Sequence, residues 1–153
     1  MLNMQTEFID VEFVKGRCII VSAKLHSFDT TVVNAFHELN FILDTGATST
    51  HISKASLHYM GYTSSMFTQD TQESFSITGK YTARLCKVRR LDFCGLALRN
   101  RTVKVWEPPS NHHVKGVIGM DILRHFNITI DMDTQRAIIE RSQAAEAILR
   151  GRV

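Results

Sequence analysis

Short runs in which apolar and polar residues alternate, separated by turn residues, follow one another along most of the chain, as in an all-β domain built from bent hairpins. Residues 7–14 and 17–25 read as two strands joined by a turn at Lys15 and Gly16. Residues 32–43 alternate up to the apolar run Phe41, Ile42 and Leu43. Two longer strand-like runs, 77–93 and 96–106, flank Gly95, which turns one back into the other. Pro108 and Pro109 mark a break before the next apolar segment. Helical signals are confined to three places. In 53–60, Ser53 is placed to cap a helix, Ala55, Leu57 and Met60 supply apolar contacts, and Gly61 closes it. Residues 121–126 allow one or two turns, with Ile122, Leu123 and Phe126 on one side. Segment 142–150 is rich in strong helix formers and ends at Gly151. The expected organisation is thus a β domain over 1–141 and a helical tail over 142–153.

Composition narrows the class. A chain of 153 residues is long enough for one domain with a core and short for two. The apolar content, 44%, suits a globular protein, and neither a membrane-span-length apolar stretch nor a signal-peptide pattern is visible, so a cytoplasmic location and no membrane partner are expected. Cys18, Cys86 and Cys94 are odd in number and lack close Cys or His ligand spacing, which fits reduced, buried thiols better than a disulfide framework or a zinc site. His51, His58, His112, His113 and His125 are scattered, so no metal and no cofactor are expected. The net charge of +3 is unevenly placed: Lys80, Arg84, Lys87, Arg89, Arg90, Arg99, Arg101 and Lys104 face one acid, Asp92. These bases punctuate strand-like runs without interleaved aromatics for base stacking, which favours a solvated sheet face over a nucleic-acid partner.

The candidate chemistry sits at Asp44, Thr45 and Gly46, directly after Phe41, Ile42 and Leu43 and before Ala47 and Thr48. A tripeptide is short enough to arise by chance, and the ordinary alternative is a strand-to-turn exit. The flanks sharpen it: an apolar strand end, a glycine for the turn, then the hydroxyls of Thr48, Ser49 and Thr50. A second segment, Val117, Ile118 and Gly119, is followed by a short helix and by a strand up to Asp131. With both segments present, over about residues 8–140, the chain resembles the retropepsin-like, single-domain aspartic proteases. A faint two-fold echo, strand and hairpin before each segment, fits that family's half-duplicated template. The resemblance implies a closed, bent β-barrel of acid-protease type with one or two short helices, and an aspartic endopeptidase that works as a homodimer. Asp44 would be the catalytic carboxylate, Thr45 would cross-link the two catalytic loops, and Gly46 would let the substrate backbone lie close. Val117, Ile118 and Gly119 would cross beneath the loop and hold it. Because the motif occurs once, either a second, identical chain supplies the other carboxylate or there is no catalysis.

The resemblance also implies a hairpin flap over the site, best matched by residues 75–81 with Gly79 at the tight tip. Ala47, Ile77, Thr78, Gly79 and Lys80 are then the candidate substrate-binding residues, with main-chain pairing to an extended protein or peptide and apolar preference near the cleaved bond. The ordinary reading of Gly79 is an exposed hairpin turn. Two positions depart from the family: Thr48 and Met120 stand where retroviral members often place an acid and an arginine that tie the dimer base together. Asp121 then reads as a local cap for the short helix. The segment 138–150 either replaces the interleaved terminal sheet of retroviral dimers or regulates it. Neither Gly-x-Ser-x-Gly nor a nucleophilic cysteine context is present. A catalytically inactive peptide-binding or dimerisation module on the same fold is the competing class, and a basic β-domain binding RNA or DNA a weaker third.

Overall fold

The computed structural model describes residues 6–9, 12–14, 18–32, 35–70, 74–76, 79–108, 113–143, 145 and 147. Two short strands come first, β1 (Thr6–Ile9) and β2 (Glu12–Val14), followed by β3 (Cys18–His26) and β4 (Phe36–Leu43). β5 (His51–Ser53) leads directly into α1 (Lys54–Tyr59). Next are β6 (Thr68–Gln69), the hairpin strands β7 (Ser74–Ser76) and β8 (Gly79–Tyr81), and the two long strands β9 (Arg84–Phe93) and β10 (Leu96–Trp106). β11 (Gly116–Ile118), α2 (Met120–Leu123), β12 (Phe126–Asp131) and β13 (Arg136–Arg141) complete the order.

The strand order β3-β4-β11-β5-β10-β9 closes on itself because β9 also pairs with β3, through Lys24 with Asp92 and Leu25 with Leu91. Closure removes the exposed edges of these strands and gives the barrel one interior. Alternation decides what enters it: Val21, Ala23 and Leu25 of β3, and Leu39, Phe41 and Leu43 of β4, are buried, while Ser22, Lys24, Glu38 and Asn40 between or beside them are exposed. Leu91, Phe93, Leu96 and Leu98 supply the β9–β10 side, and α1 adds Leu57. The β9–β10 connection is the two-residue turn Cys94–Gly95, both at positive φ, which matches the twist of the hairpin.

Several expected elements shift. The run 7–14 is divided, since β1 pairs with β13 in a separate three-stranded sheet, order β1-β13-β12, while β2 pairs with β3. Residues 10–11 and the predicted turn at Lys15 and Gly16 lie outside the described residues. In α1, Ala55 is exposed and Ser56 is buried instead: Ser53 caps the helix by accepting from the Ser56 amide, and the two hydroxyls hydrogen-bond at 2.7 Å. α2 starts at Met120 and ends before Phe126, which opens β12 and meets Phe93 edge to face. Gln143, Ala145 and Ala147 are helical, Ser142 Oγ accepts from the Ala145 amide at 3.3 Å, and Ala145 reaches the core. Cys86 is buried, which pushes its thiol up to about 11, whereas Cys18 and Cys94 are half-buried.

Candidate active site

Asp44 is the first residue after β4, at the point where β4 runs parallel to β11 in the register Phe41 with Gly116, Ile42 with Val117 and Leu43 with Ile118. The pairing continues one step into the loop, where the Asp44 amide donates to Ile118 O at 3.1 Å. The chain then turns back: the Ala47 amide donates to Asp44 O at 3.3 Å, and the Gly46 amide donates to Asp44 Oδ1 at 2.8 Å. A Cβ at Gly46 would stand 3.1 Å from that same carboxylate oxygen, so the glycine leaves the acid room. Asp44 is half-buried, Thr45 and Gly46 are exposed, and Ala47 is half-buried beside them.

Beneath the loop lies the Gly119 segment. The Met120 amide donates to Ala47 O at 2.8 Å and the Asp121 amide to Thr48 O at 3.2 Å. A Cβ on Gly119 would fall 2.7 Å from Ser49 C and O, and 2.9 Å from Ala47 O. No side chain fits there, because the obstacles are backbone atoms. Thr50 is fully buried and links the same two segments. Its hydroxyl donates to Asp121 Oδ1 at 2.8 Å and accepts from the Gly119 amide at 3.1 Å, while its own amide donates to Asp121 Oδ2 at 3.0 Å. Asp121 is not the N-cap residue of its helix, a place held by Gly119 without a side-chain bond, and its bonds go beyond a local cap. Its carboxylate is a brace for the loop, and it also accepts from the Ile122 amide at 3.0 Å. Sequence reasoning missed this role, although three hydroxyls after the motif and one acid two residues after Gly119 were its visible signal.

Two further residues at this site had no role assigned from sequence. His51 Nδ1 lies 2.9 Å from Ser49 O, which can only accept, so Nδ1 carries the proton. Nε2 then accepts from the Tyr81 hydroxyl at 3.3 Å. Burial holds the His51 pKa below its ordinary 6.5; the Ser49 carbonyl opposes this, Lys104 reinforces it, and Asp121 and Asp44 oppose it more weakly. Lys104 Nζ donates to Ser74 Oγ at 2.5 Å.

Ser74 and Tyr81 open the β7–β8 hairpin, with Phe75 opposite Lys80 and Ser76 opposite Gly79. A hairpin is thus present where residues 75–81 were expected to form one. Gly79 has φ +131 and open space around a built Cβ, and Lys80 is exposed. Ile77 and Thr78 lie outside the described residues. A cavity of about 480 Å³ opens below, bounded by His51, Tyr81, Arg84, Val105, Trp106 and Val117. Its wall mixes charged, aromatic and aliphatic groups, and Asp44 is not among its lining residues. Elsewhere, Arg89 Nε donates to Ser27 O and Arg90 to both Asp92 oxygens, so part of the basic run is engaged within the barrel. His113 and His58 are exposed, His125 is buried, and His112 lies outside the described residues. Among the described residues no group of three His, Cys, Asp or Glu side chains could hold a metal ion.

A closed barrel with Asp-Thr-Gly on one parallel strand end and Ile-Gly on its neighbour defines an acid-protease type of domain. The chain belongs to the family of gag-polyprotein putative aspartyl proteases, whose family model matches residues 30–125. It is retropepsin-like. Its fold is similar to that of a retropepsin-like aspartic protease from Rickettsia conorii, at 18% identity, covering 92% of this chain and 97% of that one with a TM-score of 0.62. The protease of EIAV, solved with the inhibitor HBY-793, matches at 17% identity over 81% of this chain and 88% of that one, with a TM-score of 0.46. No curated protein matches significantly.

Proposed function

We propose that the protein is an aspartic endopeptidase, active as a homodimer, which hydrolyses peptide bonds in extended protein segments with a water activated by two Asp44 side chains, one per chain. One observation carries this reading: Asp44 is braced from below by Gly119, Thr50 and Asp121, yet Thr45 and Gly46 beside it are exposed. Among the described residues no other carboxylate hydrogen-bonds to Asp44. A second copy meeting this face would supply one, with Thr45 hydroxyls linking the two loops.

Two carboxylates at contact distance cannot both be ionised, so the pair holds one proton. The ionised member takes a proton from the bridging water as the water oxygen attacks the peptide carbonyl carbon. The protonated member hydrogen-bonds to the carbonyl oxygen and offsets the negative charge that develops there. Collapse of the tetrahedral intermediate breaks the C–N bond, and the departing nitrogen receives a proton. Ala47, Ile77, Thr78, Gly79 and Lys80 bind the extended substrate by main-chain pairing, and covering the site excludes water. Among the described residues no helix is long and apolar enough to cross a membrane, and with reduced cysteines we place the enzyme in the cytoplasm.

The test is cleavage of an extended peptide library together with sedimentation. Wild type should cleave as a dimer and be inhibited by a pepstatin-type compound, while Asp44→Asn should dimerise without cleaving. Cleavage retained in Asp44→Asn overturns the assignment; a wild-type dimer that binds peptide without turnover selects an inactive binding module.

A further inference from the structure

We propose that His51 and Lys104 form a polar clamp that fixes the root of the β7–β8 hairpin against the barrel and so act as positioning residues for substrate. The role in cleavage rests on the peptidase reading above; the clamp itself does not. His51 and Lys104 are register partners on the parallel strands β5 and β10, so their side chains emerge next to each other. Ser74 and Tyr81 are register partners at the base of the hairpin. Each barrel residue takes one hairpin residue: Lys104 Nζ donates to Ser74 Oγ at 2.5 Å, and Tyr81 donates to His51 Nε2 at 3.3 Å. Lys104 Nζ also stands 6.0 Å from the centre of the Tyr81 ring. The four side chains thus close a small square between two pairs of strands.

The hairpin has need of such a device. Its strands form a separate two-stranded sheet, and an isolated hairpin is marginally stable. The ladder that leads towards it pairs Gln69 with Arg84 and is extended by the Asp70 amide donating to Ala83 O at 2.9 Å. Four sequence steps then separate Asp70 from Ser74, but only two separate Ala83 from Tyr81. The two sides are unequal here, so the neck alone does not dictate where the root sits. The clamp does, and its chemistry is matched to the task. Ser74 is buried at 7% exposure, so its hydroxyl needs a partner, and the lysine head reaches it. The Ser49 carbonyl fixes the His51 tautomer that accepts from tyrosine. That carbonyl belongs to the segment packed on Gly119 beneath Asp44. One ring therefore connects the Asp44 loop to the hairpin root, and with Tyr81 it forms one wall of the 480 Å³ cavity.

The test uses the full chain and the double variant Ser74→Ala, Tyr81→Phe, which removes two hydroxyls and no packing volume of consequence. Amide hydrogen exchange across residues 74–81 should accelerate by about tenfold or more, with exchange in β3, β4 and β10 unchanged. On an extended peptide, kcat/KM should fall roughly tenfold, carried mainly by KM, since the loss is of substrate positioning and not of Asp44 chemistry. Ser74→Thr alone, which keeps the hydroxyl, should exchange as wild type does. Unchanged exchange at the hairpin in the double variant overturns the clamp, whatever the activity. Accelerated exchange with KM unaltered overturns the positioning role. Accelerated exchange in the double variant, when wild type itself cleaves no peptide, keeps the clamp and removes the peptidase reading instead.

Discussion

Thr50, with no exposed surface, spends its amide and its hydroxyl on Asp121, whereas Tyr81, 40% exposed, reaches His51 through one 3.3 Å bond. The first belongs to the floor, the support beneath the Asp44 loop, and the second to the root of the β7–β8 hairpin. In the floor, backbone amides of Met120 and Asp121 bond directly to the loop, and Gly119 touches it closely enough to exclude a methyl group. At the hairpin root, the ties described are side-chain bonds. In the proposed dimer a carboxylate meets a second one at hydrogen-bond distance, and that reading calls for the first kind of support, because backbone contacts leave little play. On the proposed reading the hairpin admits and releases a chain, and the second kind serves that, since side-chain bonds near solvent open at small cost.

Removing the acid itself should have the largest effect. Asn at position 44 keeps an oxygen for the Gly46 amide, so folding should be intact, while peptide cleavage drops on the order of 10²–10⁴-fold or below detection. A fall in thermal stability together with activity would instead make Asp44 structural. Gly119→Ala comes next: a methyl carbon 2.7 Å from Ser49 backbone atoms must displace the loop, at about 1–3 kcal/mol in denaturant unfolding, with cleavage falling further than stability explains. Thr50→Val keeps the volume but leaves Asp121 Oδ1 and the Gly119 amide each short of a partner, costing about 1–3 kcal/mol. Tyr81→Phe, on the hairpin side, should cost about 0.5 kcal/mol or less in the same unfolding experiment. Equal losses for Thr50→Val and Tyr81→Phe would erase the distinction between rigid floor and clamped hairpin.

The same division governs what could be read from the sequence. The barrel was legible because alternation and turn residues are local: β10 spans the run 96–106, and α1 begins at its serine cap. Gly119 was legible because backbone atoms leave no room for a side chain there, and Asp44 stood out through its motif and flanks. The split of the first strand was not, since pairing of β1 with β13 joins the two ends of the chain and leaves no local mark. The brace and the clamp were hidden for a similar reason. Thr50 and Asp121 are 71 residues apart, and His51 and Tyr81 are 30 apart; each is an ordinary polar residue until folding places its partner. The local bond of Asp121 to the Ile122 amide was legible, but its bonds to Thr50 were not, because an acid in a first turn already has a sufficient local explanation.

The smallest expected effect tests His51 on the floor side of the clamp. Its folded pKa lies below 6.5, first because burial penalises the charged ring, with Lys104 adding to this and the Ser49 carbonyl, Asp121 and Asp44 opposing it. The unfolded chain therefore binds its proton first as pH falls. Unfolding free energy should be highest above about 6.5 and decline as pH drops towards the folded value, because ν for the unfolded state then exceeds that of the native state. His125 is lowered too, by burial and by Arg124 and Arg101, and adds a slope of the same sign. His51→Gln, an amide that does not titrate, should flatten part of the slope measured by denaturant titration between pH 5 and pH 7, leaving the His125 part. Protonating His51 reverses the Tyr81 bond, with the phenol oxygen now accepting, and sets a cation beside Lys104, so hairpin exchange should quicken over the same window in wild type and not in His51→Gln. A hairpin whose exchange ignores this window, after correction for intrinsic rates, would place the proton-sensitive element in the floor alone.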